Sequence, residues 1–143
     1  MLSILLWNVQ NSKENLQVLL ETAGCDILAI QEPWMNQGAG RGAYCYRSSR
    51  YHLVHRPGSR AAIYVTKNLE IREWDYQIGQ DWCSITLRGS NVTIWSVYTP
   101  PSTNDTIPPP FSAIQPHLLT GQNILAGNFN SHHPLWEIGR AHV

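Results

Sequence analysis

Leu2-Ser3-Ile4-Leu5-Leu6-Trp7-Asn8 and Asp26-Ile27-Leu28-Ala29-Ile30-Gln31-Glu32, with Ser12 to Thr22 between them, decide how this chain folds. Each outer segment is a short apolar run of strand length. The middle segment opens on Ser12, a good N-cap, carries Leu16, Leu19 and Leu20 as one stripe, and stops before Gly24. Strand, helix and strand with short connections predict a βαβ unit, and hence a parallel strand pair. At both strand ends the apolar run gives way to polar groups, Asn8 in one and Gln31-Glu32 in the other. Pro33 is expected to hold Glu32 in an extended conformation. In layered α/β proteins, polar tips along one sheet edge converge on one site.

The same layout recurs downstream. Asn123–Ala126 is an apolar run followed by Gly127-Asn128-Phe129-Asn130 and His132-His133, and Val92–Tyr98 runs into Thr99-Pro100-Pro101. Between these, residues 35–50 are rich in Gly, Ser and Arg and read as a loop. Tyr51–His55, Ala61–Thr66, Ile71–Trp74 and Trp82–Leu87 read as strands, with a hairpin turn at Gly89-Ser90-Asn91. Five prolines from Pro100 to Pro110 exclude regular structure there. A short helix is expected over Phe111–Leu119, disturbed by Pro116. Leu2–Trp7 and Asn123–Ala126 are both expected to be buried strands. The class is α/β, in two sheets.

The tips carry the chemistry. Glu32 is the natural ligand for Mg2+, which takes one or two carboxylates with water and phosphate oxygens; its plainer reading is a solvated residue opening a loop. Asn8 can hold a metal-bound oxygen or a phosphate, and equally suits an Asx-turn. The Tyr98 phenol can donate to a phosphate oxygen or simply cap a sheet. Asn128 and Asn130 can bind phosphate or merely form a Gly-Asn turn. His132 and His133 cannot both face one site from a regular strand, because alternate residues point oppositely.

Bulk properties narrow the class. The chain has 143 residues, 43% hydrophobic and only 14% charged, with zero net charge. It is expected to be one domain, or part of one. From Pro33 to Leu69 there is no acid, while Arg41, Arg47, Arg50, Arg56, Arg60 and Lys67 are present. Such a stretch, interleaved with Tyr44, Tyr46 and Tyr51, suits a polyanion. Cys25, Cys45 and Cys83 lack the spacing of a zinc site or a disulfide framework, and read as thiols of a reducing compartment. No signal peptide or membrane span is evident, so an intracellular protein is expected.

In this order, Trp7-Asn8, Gln31-Glu32-Pro33-Trp34, Gly58-Ser59-Arg60-Ala61-Ala62-Ile63-Tyr64-Val65, Ser96–Pro101 and Gly127–Trp136 resemble the endonuclease/exonuclease/phosphatase superfamily. The resemblance is greatest to the endonuclease domain of non-LTR retrotransposons, the type associated with a reverse transcriptase. It implies a four-layer α-β-β-α sandwich and a single domain over residues 1–143. It also implies Mg2+- or Mn2+-dependent hydrolysis of a DNA phosphodiester, with the cation weakly bound. Glu32 and Asn8 are then the metal residues. Tyr98 and Asn130 hold the phosphate, position 128 and the family's final His handle water and protons, and His132 is a catalytic candidate that can contact phosphate or a metal. Arg41, Arg47, Arg50 and Arg60 meet the DNA. The family's Gly-Asp-Phe-Asn reads Gly127-Asn128-Phe129-Asn130 here, and its later Asp-His pair has no counterpart before Val143. The expectation is therefore the N-terminal portion of such a domain, weak or inactive. A non-catalytic DNA- or phosphate-binding module, or a decayed retroelement fragment, is the alternative. DNA and a reverse transcriptase encoded in the same element are the expected partners, with a nuclear location and no membrane.

Overall fold

The computed structural model describes residues 2–37, 43–99 and 109–129. The opening βαβ unit forms: β1 (Ile4–Asn8) and β2 (Ile27–Gln31) run parallel and α1 (Lys13–Thr22) connects them. Ser12 caps α1, its hydroxyl accepting from the Asn15 N–H at 3.1 Å. The helix stops at Ala23 in an extended conformation, so Gly24 does not serve as a left-handed cap. The Gly- and Arg-rich stretch read as a loop contains a small ribbon, β3 (Met35–Gln37) with β4 (Ala43–Cys45). Ala43 and Cys45 are buried and Tyr44 is exposed, an alternation too short to stand out in sequence.

β5 (Tyr51–Val54) and β6 (Ala61–Thr66) complete the first sheet, in the order β1-β2-β6-β5. Ile71–Glu73, expected as strand, is a 3-10 turn, and the strand begins at its end as β7 (Trp74–Gly79). β8 (Trp82–Leu87) and β9 (Val92–Thr99) follow antiparallel. The expected helix near Pro116 divides into α2 (Pro109–Ile114) and a 3-10 turn over Gln115–Leu119, because proline lacks the N–H an α-helix needs. β10 (Gln122–Phe129) then pairs parallel with β9, a second βαβ-like crossover, and the second sheet is ordered β10-β9-β8-β7. Among the described residues β1 is an edge strand rather than a buried one, and Leu6 and Trp7 are exposed. β10 is likewise an edge, and Ile124 is exposed.

Period-two alternation builds the layers. Ile27 and Ala29 of β2, Ile63 and Val65 of β6, Ile85 of β8 and Ile94 of β9 form the core between the sheets. Their alternates Leu28, Ile30, Ala62 and Tyr64 face Leu16, Leu19 and Leu20 of α1. On the second sheet, Trp95 and Val97 pack against Ile114 of α2. The fold is mixed α/β, mostly strand. Cys45 and Cys83 are buried, and burial pushes the Cys45 thiol up to about 12, so both are inert core residues. Among the described residues no helix is long and apolar enough to cross a membrane.

Candidate active site at the strand tips

The inner-face alternation continues past the apolar core. In β2 it runs Ile27, Ala29, Gln31, and in β9 it runs Ile94, Ser96, Tyr98. Asn8 pairs in register with Gln31, and Asn128 with Tyr98. The two sheets therefore change from apolar to polar at the same level. Here Gln31 Nε2 donates to Ser96 Oγ at 3.0 Å and to the Ala126 carbonyl at 3.3 Å. Ser96 Oγ in turn donates to the Ile30 carbonyl at 3.0 Å. Gln31 and Ser96 are buried, so this network fixes the spacing of the sheets just below the tips. A cleft of about 370 Å³ opens above it, lined by Leu6, Trp7, Asn8, Gln31, Ala126 and Gly127 among others.

Glu32 stands beyond this layer, half-buried. Its φ is +50°, not the extended conformation expected before Pro33. Two tertiary bonds impose it: the Glu32 N–H donates to the Arg60 carbonyl and the Glu32 carbonyl accepts from the Asn11 N–H, each at 2.8 Å. Gln10, Asn11 and Asp81 also have positive φ, so four loop residues around these tips occupy the left-handed region. A side-chain-bearing residue there costs about 1–3 kcal/mol, and such strain collects at functional sites.

A cluster the sequence reading missed adjoins Glu32. Arg60 follows the β5–β6 turn and Asp81 ends the β7–β8 turn. The buried Asp81 carboxylate accepts from the Arg60 N–H at 2.8 Å, from Nη2 at 2.7 Å and from Nε at 3.3 Å. Asp81 also ties the second sheet in, because its N–H donates to Ser59 Oγ at 3.0 Å and its carbonyl accepts from the Tyr98 N–H at 2.9 Å. The Arg60 guanidinium lies over the Tyr98 ring, 4.3 Å from its centroid. Its pKa is raised, mainly by the hydrogen bond to Asp81, with burial opposing and the charges of Asp81, Tyr98 and Glu32 adding. An Asp in a hairpin turn reads as a turn former, so no local signal marked Asp81. Asp81→Ala is expected to destabilise the fold by about 2–3 kcal/mol, since it strands the Arg60 donors, while the Arg60 side chain's 42% exposure softens the loss. Urea unfolding checks this, and Asp81→Asn, which keeps an acceptor, should cost about half as much.

The other expected site residues divide. The Asn8 carboxamide accepts from the Gln10 N–H at 2.9 Å, so it forms the Asx-type turn that was its plainer reading. Arg50 is spent on structure: its guanidinium donates to the Leu20 carbonyl at 2.8 Å and to the Ala23 carbonyl, closing the C-terminus of α1. Arg47 is exposed near Tyr44. Arg41, Asn130 and His132 lie outside the described residues.

The donor set matches a hydrated Mg2+ rather than a closed metal cage. Among the described residues no three His, Cys, Asp or Glu groups gather. The Asp81 carboxylate is taken by Arg60, which among the described residues leaves Glu32 as the site's available carboxylate. One carboxylate with amide oxygens, water and substrate phosphate is what Mg2+ accepts and zinc does not. No curated protein matches the chain. The family model for the endonuclease/exonuclease/phosphatase family matches residues 5–142, nearly all of it. With the polar tips of both sheets meeting along one edge, the chain belongs to the endonuclease/exonuclease/phosphatase family.

Proposed function

We propose that this chain is a DNA endonuclease domain of retrotransposon type, a divalent-metal-dependent phosphodiester hydrolase whose own rate is low. The convergence of Asn8, Glu32, Arg60 and Tyr98 at one edge carries this reading. The family is of phosphodiesterase and nuclease type and generally uses divalent metals. The two sheets, with α1 and α2 on their outer faces, are taken as the layers of an α-β-β-α sandwich forming one domain over residues 1–143.

Glu32 and Asn8 are the residues that would hold Mg2+ or Mn2+. A cation held there would supply a lowered pKa for its bound water and neutralise phosphate charge. Arg60, which lies over the Tyr98 ring, and the Tyr98 phenol would donate to a phosphate held by that cation, and Asn130 would complete the set. Arg60 is held in place by Asp81, so it meets the phosphate pre-organised. Asn128 can orient a water by hydrogen bonding but cannot take its proton. Arg41 and Arg47 serve the DNA backbone, and a reverse transcriptase of the same element is the proposed partner.

Hydrolysis of bis(p-nitrophenyl) phosphate tests the reading, because its good leaving group reduces the demand for proton transfer. Slow, Mn2+-dependent turnover is expected, and Glu32→Ala should remove it. A folded chain that binds Mn2+ yet gives no turnover above Mn2+ alone would leave the non-catalytic binding module in its place.

A further inference from the structure

The flank opposite β1 and β10 is bounded by the other two edge strands, β5 and β7. Between them runs a groove of about 730 Å³, well separated in lining residues from the strand-tip cleft. Its floor is a line of rings. The His52 and Trp74 centroids are 6.0 Å apart, and those of Trp74 and Tyr76 are 6.3 Å apart. Tyr76 is 61% exposed, an unusual position for an aromatic ring with no packing role of its own. Arg47, Lys67 and Arg88 line the same groove. Asp75 is the acid among the described lining residues, and it is paired with Arg88. Charge and ring placement together favour an anionic ligand with flat faces.

Two polar atoms of the groove's lining residues are buried without a partner among the described residues. Trp74 is 94% buried by its 6% exposure, and its indole N–H has no partner. His55, also lining the groove, has Nε2 2.8 Å from the Ser59 carbonyl. That carbonyl needs a donor, so Nε2 carries the hydrogen and Nδ1 presents a lone pair. Nδ1 too is buried without a partner. Burial lowers the His55 pKa, which keeps this acceptor neutral.

The groove also has a continuation toward the strand tips. A second cleft of about 580 Å³ shares Tyr44 and Arg47 with it and reaches Trp34, two residues beyond Glu32. Lys13 Nζ lies 4.9 Å from the Trp34 ring centroid, which repeats the pairing of base and ring. We infer that the β5–β7 groove binds single-stranded nucleic acid, with a base stacked on the exposed Tyr76 ring and phosphates met by Arg47 and Lys67. Stacking supplies affinity without sequence preference, and the cations follow the backbone. Such a track leads an unpaired strand from the flank toward Trp34. It stands apart from the hydrolytic reading, since binding in this groove needs neither Glu32 nor a metal.

Fluorescence anisotropy with a labelled oligothymidylate tests this on the full chain, in EDTA so that the metal site takes no part. Saturable binding is expected, stronger than for a duplex of equal length. Tyr76→Ala should weaken it by about 10-fold and Tyr76→Phe should restore it. Combining Arg47→Ala with Lys67→Ala should reduce the slope of log affinity against log salt by about 1–2. Tyr76 is exposed, so Tyr76→Ala should keep the circular dichroism and the phosphodiester turnover of the unaltered chain. The inference is overturned if the oligonucleotide does not bind, if duplex binds as well as single strand, or if Tyr76→Ala binds like the unaltered chain. Each of those results leaves the Glu32-dependent hydrolysis untouched.

Discussion

Asn128→Asp is expected to raise Mg2+-dependent nicking of supercoiled DNA by about 10²–10⁴-fold over the unaltered chain, which should stay near background. β10 carries Asn128 in register with Tyr98, two residues beyond the Ala126 carbonyl that Gln31 bonds. The backbone of position 128 thus belongs to a paired strand. A carboxylate there can take a proton from an attacking water, and a carboxamide cannot. Position and fold are expected to survive the change, because aspartate and asparagine share a shape. The gain should vanish when Glu32→Ala is added, since groups that act as one unit are not additive. Strong, Glu32-dependent nicking by the unaltered chain would show that the amide is no obstacle and that another group takes the proton.

Glu32→Ala is expected to weaken Mn2+ binding by about 100-fold or more. Loss of an outer-shell partner alone costs a metal site about 10–100-fold, and Glu32 is the site's available carboxylate. Its neighbour Asp81 cannot replace it without releasing three donors of Arg60. Asn8→Ala should cost less, about 10-fold at most, because its carboxamide oxygen already serves the Gln10 N–H. Calorimetric titration of Mn2+ measures both. Affinity that survives Glu32→Ala would move the ligands to another part of the chain. The Glu32 backbone adds a separate check: Glu32→Gly should relieve the positive φ while removing the carboxylate, so stability and metal binding should change in opposite directions.

The sequence by itself determined the first βαβ unit, the two-sheet α/β class and the polar strand tips. These are local or periodic features: apolar runs of strand length, a Ser12 cap, three leucines on one helical face. Alternation could even have marked Gln31 as inward-facing, since it follows Ile27 and Ala29. Which polar groups remain free at those tips is settled by long-range contacts instead. Arg50 resembled its neighbours in an acid-free stretch, but the end of α1 lies beside it and its unpaired carbonyls claimed the guanidinium. Arg60 and Asp81 are 21 residues apart, in two different turns on two different sheets, and no periodicity links them. The same holds for Glu32, whose left-handed backbone is set by Asn11 and Arg60 against the preference its following proline imposes. Propensity acts over a few neighbours, whereas a buried donor must find whichever acceptor the fold brings to it, and that choice is made only when the sheets meet.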